Sequence, residues 1–68
     1  MDTQKRIGEN IKKIREKIGK TQEELAKESG IHYSYLSRIE RGVVNPSSEV
    51  LESIVKALKV KSADILPF

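Results

Sequence analysis

The residues from Gln22 to Arg41, QEELAKESGIHYSYLSRIER, leave a chain of this size little choice of architecture. They break at Ser29-Gly30-Ile31 into two short helical stretches. Leu25, Ala26, Ile31, Leu36 and Ile39 fall on one side of the pair, and a run of His, Tyr, Ser, Tyr and Arg falls on the other. Two helices of this pattern, joined by so tight a turn, bury the first set against each other and against a third element. The second set is left facing outward.

The flanking sequence supplies helices and no strands. Ile7, Ile11, Ile14 and Ile18 repeat at helical spacing, with Lys12, Lys13, Glu16 and Lys17 off that stripe. Helix one is therefore expected over 3–18, with Gly19 at a left-handed cap. Thr21 opens helix two, and Glu24, three residues on, completes a capping box. Gly30 ends that helix, and helix three is expected from His32 to Arg41, closed by Gly42. Val43-Val44-Asn45-Pro46 reads as a linker, since Pro46 biases Asn45 to extended backbone. Ser47 is a candidate N-cap with Glu49 near the positive end of the helix dipole. Val50, Leu51, Ile54, Val55, Ala57 and Leu58 make helix four apolar on a broad face. Ser62 is expected to cap a last short helix, 63–66, stopped by Pro67. The expectation is a compact all-α, five-helix domain over 1–68, with the helix-turn-helix at 21–41. Its expected core is Ile7, Ile11, Ile14, Leu25, Ala26, Ile31, Leu36, Ile39, Val44, Leu51, Ile54, Leu58 and Ile65.

Composition narrows the function classes. A chain of 68 residues has room for one domain and buries only about 60% of its unfolded surface. It has no cysteine, which excludes disulfides and thiolate metal sites and fits a reducing, cytoplasmic setting. No apolar run approaches the roughly 18 residues of a membrane span, and the first ten residues have no secretory core. One histidine, no phosphate-binding glycine loop and no ligand set at metal spacing speak against an enzyme, a metal or a cofactor. The net charge is +3, but residues 1–20 hold seven basic residues against three acidic. The positive end is thus helix one and its exit, which a solvated basic face explains as well as a polyanionic partner does.

A helix with a polar outer side next to a tight turn suits the DNA major groove, which admits one α-helix. On that reading Arg38 can fork onto guanine O6 and N7, Ser34 can meet a base edge or phosphate, and Tyr33 can donate its hydroxyl or cover a thymine methyl. Tyr33 could equally anchor a partner protein, and Arg38 could be a solvated charge. Tyr35 has equal claims to packing and to phosphate contact. Gln22 is first in its helix, where an amide and the free N–H groups can share one phosphate. His32 is near neutral at physiological pH and could be a proton-linked contact or an ordinary polar residue at a helix start. Arg15 and Glu40 could form a partly buried pair or be two exposed charges.

The spacing Q-x-x-L-A-x-x-S-G-I-x-x-x-Y-L-S-x-I-E-R-G-x-x-x-P, followed by L-x-x-I-x-x-A-L, resembles the phage-repressor-like (XRE-type, Cro/repressor) helix-turn-helix family over about residues 7–66. The resemblance implies a transcriptional regulator that binds double-stranded DNA as a homodimer on a two-fold symmetric operator. It places His32, Tyr33, Ser34 and Arg38 at base-reading positions. Thr21, Gln22, Tyr35, Arg41 and Asn45 fall near the DNA backbone, and Arg15 and Glu40 form a pair between helices one and three. His32 departs from the family pattern, which has Ser or Thr as the cap there. A dimer would use the apolar surplus of the C-terminal third: Val50, Val55, Val60, Ile65, Leu66 and Phe68. The alternative is an adaptor or antitoxin-like interaction module on the same fold, in which Arg38, Arg41 and the basic first helix have no reason to share one side.

Overall fold

A computed structural model describes residues 2–68. Four α-helices follow one another: α1 (Thr3–Lys17), α2 (Gln22–Ser29), α3 (Tyr33–Arg41) and α4 (Ser48–Leu58). A single 3-10 turn over Ser62–Asp64 stands where the sequence predicts a fifth helix. The segment is too short for an α-helix because Ile65 drops into the core directly after it and Pro67 bars continuation. Asp64 accepts from the Lys61 N–H at 2.9 Å and so tightens this turn.

The helix starts are built by side chains that satisfy orphan N–H groups. Asp2 accepts from the Lys5 N–H, and Ser47 Oγ accepts from the Val50 N–H. At Thr21 the capping box is complete: Thr21 Oγ1 accepts from the Glu24 N–H at 3.0 Å, and Glu24 Oε1 accepts from the Thr21 N–H at 2.8 Å. The bond from the Thr21 N–H, and after it the Thr21 hydroxyl, hold the Glu24 carboxyl below its ordinary pKa. Gly30 turns the chain between α2 and α3 at φ 72°, a left-handed conformation that costs glycine little.

Helix α1 lies against α3, and α2 packs on both α3 and α4. Ile7, Ile11, Leu25, Ala26, Leu36, Ile39, Ile54, Leu58 and Ile65 form the buried core. Ile14, Ile31, Val44 and Leu51, expected in that core, lie half-buried on its margin. The approach of α1 to α3 is close enough to exclude a methyl group at Gly8. A Cβ there would sit 2.2 Å from the Ile39 carbonyl oxygen and 2.6 Å from that of Glu40. The C-terminal turn is tied back to α1 by Asn10, whose Nδ2 donates to the Ile65 carbonyl at 2.7 Å.

Candidate nucleic-acid interface

Helix α3 has two unlike sides. Leu36 and Ile39 are sealed inside, at 0% and 1% exposure. His32, Tyr33, Arg38 and Arg41 are exposed, and Ser34 and Tyr35 are half-buried. Tyr33 is 52% exposed and lies over the His32 ring, with centroids 5.2 Å apart and planes 28° from parallel. Tyr35 packs against the core, so its ring is partly a structural element. Asn45 lies exposed in the linker after α3.

His32 is the N-cap of α3 rather than its first residue. Histidine is a poor cap by propensity, yet here the imidazole performs the task. The Ser34 N–H donates to His32 Nδ1 at 3.1 Å, and Ser34 Oγ lies 2.8 Å from the same nitrogen. The role of the ring depends on its rotamer, which the residue type alone does not specify.

The inner edge of α3 carries a buried acid. Glu40 is 5% exposed and Arg15 of α1 is 7% exposed. Arg15 Nε donates to Glu40 Oε2 at 2.7 Å, and Arg15 Nη2 donates to Glu40 Oε1 at 3.0 Å. The third guanidinium nitrogen, Nη1, donates to the Lys20 carbonyl at 2.8 Å. The fork therefore holds α3 and also the turn before α2. Hydrogen bonding to Glu40 raises the Arg15 pKa against the opposing effect of burial. Coulombic attraction alone is a poor guide to what such a pair contributes, because desolvation opposes it.

Gln22 joins this network. Its Nε2 donates to Glu40 Oε1 at 2.9 Å, a bond to an internal acid that the sequence reading does not contain. A carboxylate only accepts, so the contact orients the amide with its nitrogen toward Glu40. Arg15, Gly19, Lys20, Thr21, Gln22, Glu23 and Tyr33 line one open cleft. The start of α2 and the start of α3 thus face the same space. Lys20 also reaches Glu28 and the Ala57 carbonyl, which fastens the turn before α2 to both α2 and α4.

Elsewhere, Leu51, Val55, Val60 and Leu66 line an apolar groove between α4 and the C-terminal turn. Val50, Val55, Val60 and Leu66 are half-buried, and Phe68 is 86% exposed. Ile65 is not a surface residue: at 0% exposure it is consumed by the core of its own chain, because the 3-10 turn directs its side chain inward. Among the described residues no helix is long and apolar enough to cross a membrane.

Three of these connections link residues far apart in sequence, Gln22 with Glu40, Asn10 with Ile65 and Lys20 with Ala57. No local pattern signals them. His32 does carry a signal, since it stands immediately before a helix at the cap position.

Comparison with known proteins agrees with this geometry. A family model described as helix-turn-helix matches residues 11–65. The chain is 38% identical over 66 residues to an HTH-type transcriptional regulator of Sinorhizobium fredii, covering 97% of this chain and 86% of the relative. It is 44% identical over 63 residues to the control protein C.BamHI of Bacillus amyloliquefaciens, covering 91% and 78%. The crystal structure of the restriction-modification controller protein C.AhdI from Aeromonas hydrophila superposes with a TM-score of 0.89 at 29% identity, covering 91% of this chain and 94% of that one. With a family match over most of its length, and with two capped helices set around a glycine turn, the chain belongs to the XRE-type helix-turn-helix family of DNA-binding transcriptional regulators.

Proposed function

We propose that the protein is a sequence-specific regulator that inserts α3 into the DNA major groove and binds a two-fold symmetric operator as a homodimer. The observation that carries this reading is the division of α3. Its apolar side is fully used by the core, and its polar side stands exposed beside the start of α2. Tyr33, Ser34, Arg38 and His32 are assigned to base edges, where Arg38 suits guanine. Thr21, Gln22, Tyr35, Arg41 and Asn45 are assigned to the sugar-phosphate backbone. Gln22 Nε2 carries two hydrogens, and the one not given to Glu40 supplies the phosphate bond.

One α3 helix spans only a few base pairs, so useful specificity requires two copies with their recognition helices about 34–36 Å apart. Val50, Val55, Val60, Leu66 and Phe68 are assigned to the dimer contact. Similarity to control proteins of restriction-modification systems makes such a system a natural setting for this chain, in a cytoplasmic location. No catalytic role is assigned to it.

Selection of bound duplexes from a random pool tests the reading. The expected result is an enriched inverted repeat with half-sites one helical turn apart. Enrichment of no duplex, or of a lone asymmetric site with the protein monomeric in equilibrium sedimentation, would overturn it.

A further inference from the structure

At the cap of α3 the Ser34 N–H is directed at Nδ1 of His32. A ring nitrogen that receives the Ser34 N–H at 3.1 Å uses its lone pair as acceptor. The neutral ring therefore carries its hydrogen on Nε2. The same Nδ1 lies 2.8 Å from Ser34 Oγ, an approach that an unprotonated nitrogen accommodates with the hydroxyl hydrogen between them, its one lone pair shared with the Ser34 N–H. The Ser34 proton is thus directed at His32, and the oxygen has only lone pairs to offer elsewhere. Tyr33, stacked on the ring at 5.2 Å, helps to hold this arrangement.

We propose that His32 and Ser34 act as one recognition unit of fixed hydrogen-bond polarity, with Ser34 Oγ accepting from the amino group of a base and His32 Nε2–H donating to an acceptor. The unit rests on the placement of α3 in the major groove. Serine alone discriminates poorly, because its hydroxyl rotates to give or to take a hydrogen bond. The imidazole removes that freedom. His32 is a positioning residue in this sense: it makes Ser34 selective for the amino-bearing bases, adenine through N6 or cytosine through N4.

Two measurements test the unit. Long-range proton–nitrogen NMR of the free full chain at alkaline pH should show the Nε2–H tautomer, with Nδ1 shifted by an accepted hydrogen bond. An Nδ1–H tautomer would overturn the proposal without any DNA being present. Duplex selection should then be run on wild type, Ser34→Ala, His32→Ala, His32→Asn and the double variant, each verified as folded by circular dichroism. His32→Ala should lose about 2- to 10-fold of the amino-base preference at one base pair although serine is still present. Asparagine, a capping acceptor, should restore it. The double variant should match Ser34→Ala at that base pair. The enriched base, adenine or cytosine, identifies the amine. Unchanged discrimination in His32→Ala would overturn this unit alone, whereas failure of wild type to enrich any duplex would overturn the placement of α3 as well.

Discussion

Glu40 of α3 and Arg15 of α1 meet through two hydrogen bonds, at 2.7 and 3.0 Å, with both side chains almost sealed from solvent. The Arg15→Ala variant leaves a buried carboxylate with Gln22 as its remaining side-chain donor. Loss of about 3–5 kcal/mol is expected in urea unfolding. Arg15→Lys should recover only part of this, because an ammonium cannot reproduce the fork that also reaches the Lys20 carbonyl. A lysine variant as stable as wild type would show that charge alone accounts for the interaction.

Gly8 provides a steric test of the same helix pair. An alanine methyl would overlap the Ile39 and Glu40 carbonyls, which are backbone atoms and cannot rotate aside. Gly8→Ala gains helix propensity of up to about 1 kcal/mol, but α1 must move off α3. Net destabilisation of about 1–3 kcal/mol is expected, read as a lowered thermal midpoint.

The capping box makes a pH prediction. Glu24 has a pKa lowered in the folded state by its bonds to Thr21. A depressed carboxylate contributes stability above its unfolded pKa, about 4.3, and loses it as pH falls through the folded value. Glu24→Gln keeps a capping acceptor but has no charge to lose. Wild type should be the more stable of the two at neutral pH, and the difference should shrink as acid is added below about pH 4. A difference constant from neutral to acid pH would contradict this assignment.

Readers and grippers of DNA should separate in binding. Arg38→Ala is expected to relax preference at one base pair by about 1–3 kcal/mol. Gln22→Ala should weaken all duplexes alike, and it should also cost stability because Glu40 loses a donor. Wild-type affinity should fall by about 0.9 log units per log unit of salt for each phosphate neutralised. A flat salt response would favour an adaptor that does not touch DNA.

The fold was legible where side chains act on their own neighbourhood. Thr21 with Glu24, Ser47, Gly30 and Gly42 mark helix ends through bonds and dihedrals set within four residues. Ile7, Ile11 and Ile14 of the isoleucine stripe point to the core because their period is that of the helix, whereas Ile18, at the cap just past α1, is exposed. What escaped depends on distant approach or on a rotamer. Ile65 reads equally well as core or as surface until the direction of the last turn is known. Gln22 reads from sequence as a phosphate ligand alone; its second partner, Glu40 at 2.9 Å, depends on how α2 meets α3. Histidine is disfavoured as a cap on average, and at position 32 the ring orientation overrides that average.

The bond from Asn10 to the Ile65 carbonyl has a consequence for operator architecture. It couples the apolar C-terminal flank to α1, and α1 is clamped to α3 through Arg15. Two subunits joined at that flank would hold their probe helices at a separation dictated by the protein, with little slack to follow a changed spacer. Inserting one base pair between half-sites turns one of them by about 35° around the duplex axis, so such operators should be rejected even when every contacted base is intact.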